Sequence, residues 1–144
     1  MYNLVIFGER PGPNTDPLRP LYPHTTTGAA ARLIEMLGIS QEEYLRIVRM
    51  NVVNDQTTPT SSDEVRRNVY LTMAHYRSKG PVRFLVLGRS AAQALPKEYR
   101  DMPFGTIYGG IMIIPHPSGR NRYYNSQANK EFIIQGVRKF AGIL

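Results

Sequence analysis

Four short apolar runs recur along the chain, each followed by glycine, proline or polar residues. They span residues 4–7, 47–53, 82–87 and 111–114 and are rich in valine, leucine and isoleucine. Runs of this length and composition are typical of strands that are buried on both faces of a parallel sheet. The pattern therefore predicts a central sheet of four strands, mainly parallel.

Helical patterns alternate with these runs and predict helices over residues 28–37, 62–78, 90–95 and 129–140. Strands that alternate with helices indicate a layered α/β fold with right-handed crossovers. Because no repeat or change of composition divides the chain, residues 1–144 are predicted to form one domain.

Irregular segments lie between these elements, at residues 10–27, 54–61, 96–110 and 115–127. All but the third follow directly after a predicted strand. In an open parallel sheet the ligand crevice lies beyond the carboxyl ends of the strands. We therefore expect the chemistry of the protein in those three segments.

The charge balance is basic, since 18 lysines and arginines against 11 aspartates and glutamates leave a net charge of +7. Such a surface favours polyanionic partners. The chain has no cysteine, which excludes disulfides, thiolate metal sites, cysteine-ligated iron–sulfur clusters and a cysteine nucleophile. Neither a metal nor a cofactor is expected. No apolar run approaches the roughly 20 residues that span a bilayer, so we expect a location in the cytoplasm of a bacterium or a phage-infected cell. The protein is also expected to be a monomer.

The first strand runs into a turn at residues 8–16, Gly-Glu-Arg-Pro-Gly-Pro-Asn-Thr-Asp. Its glycines and prolines favour a tight turn whose backbone N–H groups face a ligand, with the Glu9 carboxylate at the strand tip. A solvated glutamate in an ordinary glycine–proline turn explains the same residues. Glu9 is thus a candidate catalytic carboxylate with a structural alternative.

The fourth strand ends in Pro-His-Pro at residues 115–117, and a loop of Ser, Gly, Arg, Asn and Tyr follows at 118–125. Flanking prolines hold His116 on a rigid backbone, and the loop residues suit phosphates and stacked bases. A structural histidine in a turn is the alternative. The density of polar recognition residues favours a functional role.

Asn51 stands near the end of the second strand, in Met-Asn-Val-Val. An amide at the end of an apolar strand is costly unless it finds partners, and it can read the hydrogen-bonding edge of a base. Capping of a turn is the alternative role.

These segments together resemble the iron–sulfur type of uracil-DNA glycosylase. Residues 8–12 with Asp16 are similar to its Gly-Glu-x-Pro-Gly motif and the spaced Asp that follows. Residues 51–53 resemble its Asn-Val-Val strand end, and residues 116–118 match the His-Pro-Ser loop of the wider superfamily. Residues 87–95 are similar to the strand-to-helix segment before that loop. Order and spacing agree over almost the whole chain.

The chain also departs from that pattern. The cluster-binding cysteines are absent, and Asn54 stands where lysine is usual. Arg10 replaces a small residue or, in other branches, the catalytic Asp or Asn. These differences bear on the base specificity and on activity itself.

The resemblance implies a three-layer α/β/α sandwich and a DNA glycosylase that hydrolyses the N-glycosidic bond of a flipped pyrimidine without a cofactor. In this scheme His116 bonds O2 of the leaving base, and Glu9 stabilises the sugar or orients the attacking water. Asn51 reads the base edge, and Tyr22 covers its face unless it is an ordinary half-buried aromatic. The base-binding set is completed by Gly8, Arg10 and Gly12. The predicted DNA contacts are Ser118, Gly119, Arg120, Asn121 and Arg122.

Gly12 occupies the motif position where uracil-restricted relatives carry a tyrosine that crowds the pyrimidine 5-position. Space for a 5-substituted pyrimidine, as well as for uracil, is therefore expected. Two other functions fit the residues: an enzyme of free nucleosides or nucleotides, which needs no basic groove, and a catalytically inactive DNA-binding module of the same fold. Arg10 favours the inactive module, because a cation beside a catalytic carboxylate neutralises it.

Overall fold

The computed structural model describes residues 3–12, 16, 18–23 and 28–143. The elements follow one another as β1 (Leu4–Gly8), α1 (Ala29–Leu37), α2 (Gln41–Leu45), β2 (Val48–Asn51), α3 (Asp63–Arg77), β3 (Arg83–Leu87), α4 (Arg89–Ala92), β4 (Ile107–Tyr108), β5 (Ile111–Ile114) and α5 (Gln127–Phe140). A short 3₁₀ helix, Arg122–Asn125, precedes α5. In the described parts of the chain, no helix has the length and apolar character needed to cross a membrane.

The sheet has the strand order β2-β1-β3-β5-β4, and all neighbours pair in parallel except β4 and β5. The predicted count of four strands is wrong, because β4 adds an antiparallel fifth strand at the edge. This strand lies in the segment 96–110, where both of its residues are exposed and form no buried run. Gly109 and Gly110, at φ +60° and +74°, provide the two-residue turn of the hairpin.

Side chains of the parallel strands alternate between two faces, and helices cover both. On one face Ile6, Leu85 and Met112 pack in a cluster with side chains of α1 and α5. On the other face Phe7 and Val86 pack with side chains of α3 and α4. Burial on both faces explains the continuous apolar runs of β1, β3 and β5. The prediction is wrong for β2, an edge strand whose residues are exposed or half-buried. The protein is a three-layer α/β/α sandwich.

The predicted helices are present, with ends shifted by at most three residues. Helix α3 begins after Ser62, whose hydroxyl caps the first turn. The sequence pattern does not predict α2, which is only five residues long. It forms because Ser40 and Glu43 make a reciprocal capping box and Tyr44 is fully buried.

The parallel strands deliver their carboxyl ends to one edge of the sheet. The backbone N–H groups of Val52 and Val53 donate to the carbonyls of Gly8 and Glu9 at 2.9 and 3.0 Å, so the chains stay paired just beyond β1 and β2. Within the predicted irregular segment 10–27, residues 13–15, 17 and 24–27 lie outside the described residues.

Candidate active site

A cavity of about 360 Å³ opens at this edge, between the turn after β1, the segment before α1 and the start of α1 itself. Leu21 lines it together with several of the predicted site residues: Arg10, Gly12, Tyr22, Asn51 and His116. The carboxyl edge of the sheet thus brings together side chains that are far apart in the sequence, as the strand pattern predicts.

Gly8 and Asn51 are direct neighbours across β1 and β2. A Cβ atom on residue 8 would lie only 2.7 Å from Asn51 Oδ1. Only glycine therefore leaves the half-buried amide of Asn51 in its present place beside the strand end. The role of Gly8 in this arrangement is to admit the Asn51 side chain.

The backbone of His116 is held from its own loop. Its carbonyl accepts hydrogen bonds from Ser118 N at 2.8 Å and from Asn121 Nδ2 at 3.1 Å. The Tyr124 hydroxyl donates to the carbonyl of Pro115, one residue earlier. On the other side Gly88 leaves room for His116, since a Cβ atom on residue 88 would lie 3.3 Å from His116 Cβ.

The imidazole of His116 is half-buried, and its ring nitrogens have no hydrogen-bond partner among the described residues. Burial lowers the pKa of His116, and the nearby negative charge of Glu9 opposes that shift. The lowered pKa favours the neutral ring, which has one N–H that it can donate to a ligand.

Glu9 forms an ion pair with Arg10, and of the two only Arg10 is among the residues that line the cavity. Arg10 Nε donates to Glu9 Oε2 at 3.0 Å, and the two side chains are 20% and 37% exposed for Arg10 and Glu9 respectively. The remaining guanidinium nitrogens donate to backbone carbonyls of the loop after β2. Arg10 lines the cavity, as expected, with its donors directed at protein oxygens.

Tyr22 belongs to a cavity wall, residues 21–23, and the sequence analysis does not predict the contacts that support this wall. The fully buried Tyr44 donates its hydroxyl to the carbonyl of Leu21 at 2.7 Å. Arg49 Nε donates to the carbonyl of Pro20 at 3.2 Å. Leu21 has φ +55°, a strained value for a branched residue that neighbouring contacts must hold. The charge of Arg49 inside an otherwise apolar run is the signal that points to such a role.

The predicted DNA-binding residues divide into two groups. Ser118 and Asn121 bond within the loop: Ser118 Oγ accepts from Arg120 N at 3.2 Å, and Asn121 Oδ1 accepts from Tyr123 N at 3.0 Å. Together with Gly119 they border a separate cavity against α1 and α5. Arg120 and Arg122 are exposed, and within the described chain their guanidinium groups make no hydrogen bond or ion pair.

The fold and the cavity define a class of protein, an α/β/α sandwich with an amide, an imidazole and a carboxylate at the carboxyl edge of its sheet. The family model for the uracil DNA glycosylase superfamily matches residues 2–139. The chain therefore belongs to the uracil-DNA glycosylase superfamily. That membership supports a DNA-glycosylase type of function, because the superfamily generally hydrolyses N-glycosidic bonds and acts on DNA. Among curated proteins, none matches the sequence.

The iron–sulfur cluster of the branch that the motifs resemble does not fit this chain. Cluster irons are bound by cysteine thiolates, and none of the 144 residues is cysteine. In the described residues, histidines and carboxylates do not form a group of three or more with metal-binding geometry either.

Proposed function

We propose that the protein is a monofunctional DNA glycosylase that hydrolyses the N-glycosidic bond of a flipped pyrimidine. The observation that carries the proposal is the convergence of Asn51 and His116 on one cavity, with the charge of Glu9 close enough to His116 to oppose the shift in its pKa. A base-reading amide, a hydrogen-bond donor and a carboxylate are the groups that this reaction needs.

Cleavage of the bond leaves negative charge on the departing base and positive charge on the sugar. In the proposal, the neutral His116 ring donates its N–H to O2 of the base, where the negative charge develops. Glu9 acts on the opposite side, where its carboxylate stabilises the oxocarbenium-like sugar or orients the attacking water. Both groups stabilise the transition state more than the ground state, so they raise kcat.

Recognition of the base rests on Asn51 for its edge and on Tyr22 for its face. Gly12, which lines the same cavity, leaves space beside the pyrimidine 5-position, so uracil and at least one 5-substituted pyrimidine are proposed substrates. Arg120 and Arg122 supply phosphate contacts outside the cavity, supported by their exposure and by the net charge of +7. A monomer acting in the cytoplasm of a bacterium or a phage-infected cell completes the proposal.

One rival function has a specific observation in its favour. The Arg10–Glu9 ion pair is what a catalytically inactive DNA-binding module predicts, because the arginine compensates the carboxylate charge. An enzyme of free nucleotides has less support, since the exposed arginines of the loop have no role in it.

The test is a panel of duplex and single-stranded oligonucleotides, each with one uracil, thymine or larger 5-modified pyrimidine, assayed for abasic sites. Release of base from at least one DNA is expected. His116→Ala and Glu9→Gln are expected to lower kcat by about 10²- to 10⁴-fold while DNA affinity is retained. Binding without release from any member favours the inactive module, and cleavage of free nucleotides alone favours the second rival.

A further inference from the structure

Arg10 uses all three of its guanidinium nitrogens as donors. Nε donates to Glu9 Oε2 at 3.0 Å. Nη2 donates to the carbonyl of Thr58 at 2.9 Å, and Nη1 donates to the carbonyl of Asp55 at 3.3 Å. The side chain therefore joins the turn after β1 to the loop after β2.

The loop that receives Arg10 is itself well fixed. The Asp55 carboxylate accepts hydrogen bonds from Thr57 N at 3.1 Å, Thr58 N at 2.8 Å and Thr58 Oγ1 at 2.6 Å. These bonds, led by the one from the Thr58 hydroxyl, lower the pKa of Asp55. The backbone of residues 55–58 thus presents two carbonyls in a defined arrangement, and Arg10 fits both.

Glu9 is held by one oxygen only. Oε2 accepts from Arg10, while Oε1 has no hydrogen-bond partner among the described residues. An isolated surface ion pair orders its partners weakly, because two long side chains must be immobilised for a small gain. Here the guanidinium is already fixed by two carbonyls, so that only the Glu9 side chain remains to be ordered.

We propose that Arg10 is a positioning residue for Glu9: anchored on the carbonyls of Asp55 and Thr58, it holds Oε2 so that Oε1 faces the sugar of the bound nucleotide. This inference rests on the proposed function. It gives Arg10 the opposite effect from the one expected in an inactive module, since the ion pair orients the Glu9 carboxylate instead of neutralising it.

The first test compares the kinetics of three variants. Arg10→Ala is expected to lower kcat by about tenfold to a hundredfold with an unchanged KM for DNA, because a misplaced catalytic group costs that much. Arg10→Lys is expected to resemble Arg10→Ala, since one ammonium group does not reproduce the fork of donors. Gln56→Ala is the matched control: it removes the 2.7 Å bond from Gln56 Nε2 to the Pro11 carbonyl between the same two loops, and wild-type kcat is expected.

A double-variant comparison separates positioning from general structural support. If Arg10 acts through Glu9, then Glu9→Gln with Arg10→Ala is no slower than Glu9→Gln alone. Independent losses that multiply would overturn the proposal. So would an Arg10→Ala enzyme that equals or exceeds the wild type in turnover, which is the result expected of a neutralising arginine.

A readout without catalysis keeps this inference separate from the proposed function. Hydrogen exchange of the Arg10 Nε–H, followed by NMR, is expected to be slow in the wild type and to accelerate in Glu9→Gln and in Asp55→Ala. If no substrate is cleaved, the proposed function fails, and this measurement still decides whether Arg10 holds Glu9. Exchange that is fast in the wild type, or equal in all three proteins, contradicts the positioning role.

Discussion

The turn after β1 and the loop after β5 each carry one candidate catalytic side chain, but contacts of very different sequence range hold them. Arg10 reaches carbonyls that lie 45 and 48 residues further along the chain. The carbonyl of His116 accepts from Asn121, only five residues away, and Tyr124 reaches Pro115 across nine residues. One wall of the cavity depends on the assembled sheet, and the other is largely fixed within its own segment.

This difference has consequences for the two catalytic groups. The orientation of Glu9 depends on β2 and the loop after it, so changes that move the carbonyls of Asp55 and Thr58 are expected to affect the active site. His116 is insulated from such changes, because its loop forms its own hydrogen bonds. Outside its loop, His116 lies close to Gly88, which directly follows β3.

Gly88→Ala is the substitution with the largest expected effect on turnover through the cavity wall that carries His116. Gly88 has φ +93°, and a Cβ atom would press on His116 Cβ at 3.3 Å. Gly80→Ala is the control, since its φ of +131° is also unfavourable but nothing lies within 4 Å. Both variants are expected to lose about 1–3 kcal/mol of stability in denaturant unfolding. Only Gly88→Ala is expected to lose turnover, by about 10²-fold in single-turnover assays.

Gly12→Tyr probes the cavity wall that the turn after β1 forms. A tyrosine ring at this edge of the cavity is expected to exclude pyrimidines with a substituent at the 5-position by direct clash, while uracil still enters. We expect kcat/KM on a 5-substituted pyrimidine to fall by tenfold or more relative to uracil. Cleavage of uracil alone by the wild type, with a pattern unchanged in Gly12→Tyr, contradicts this use of the glycine.

The same contrast explains which parts of the structure the sequence predicts. The parallel strands appear as largely apolar runs, so their carboxyl ends, and the position of Asn51 and His116 at one cavity, follow from the pattern. Strand β4 does not, because Ile107 and Tyr108 are exposed, although the glycine pair behind them is a hairpin signal. Helix α2 is too short for periodicity to reveal it.

Side-chain roles that depend on distant backbone carbonyls are harder to predict. The carbonyl partners of Arg10 are known only once β1 and β2 are paired. The hydrogen bond from the Tyr44 hydroxyl to the Leu21 carbonyl likewise joins residues far apart in the sequence, so the sequence pattern does not predict it. Asn121 illustrates a local difficulty: its residue type suits DNA contacts, but both ends of its amide bond within the loop. Residue type therefore indicates the chemistry of a segment, and geometry decides which member is free to perform it.

A smaller effect is expected from the exposed end of the His116 loop. Arg120→Ala and Arg122→Ala are each expected to reduce the slope of log affinity against log salt by about 1, with kcat at saturating DNA unchanged. Lys139→Ala is the control, because the exposed Lys139 precedes Phe140, the last residue of α5, whose carbonyl accepts a hydrogen bond from Arg83 at the start of β3. That is the edge of the sheet opposite the cavity. Equal slopes for all variants would remove the loop from the DNA surface.

The smallest expected effect is on the pKa of His116, which depends on burial in its own loop and on the charge of Glu9 after β1. Burial lowers its pKa in the folded protein, and the charge of Glu9 raises it in part. NMR titration is therefore expected to give a pKa below the ordinary value, and Glu9→Gln is expected to lower that pKa further. An unchanged or higher value in Glu9→Gln would mean that the carboxylate does not act on the ring.

The sign of the accompanying stability change follows from the same shift. Because the folded-state pKa of His116 is depressed, the unfolded chain binds the proton first as the pH falls below about 6.5. Stability is then lost as the pH falls further, until the folded-state pKa is passed; above about 6.5 the residue contributes nothing to the pH dependence. His116→Gln should remove this part of the curve. Denaturant unfolding at several pH values measures it, and a His116→Gln protein with the full wild-type pH dependence would assign the effect to other groups.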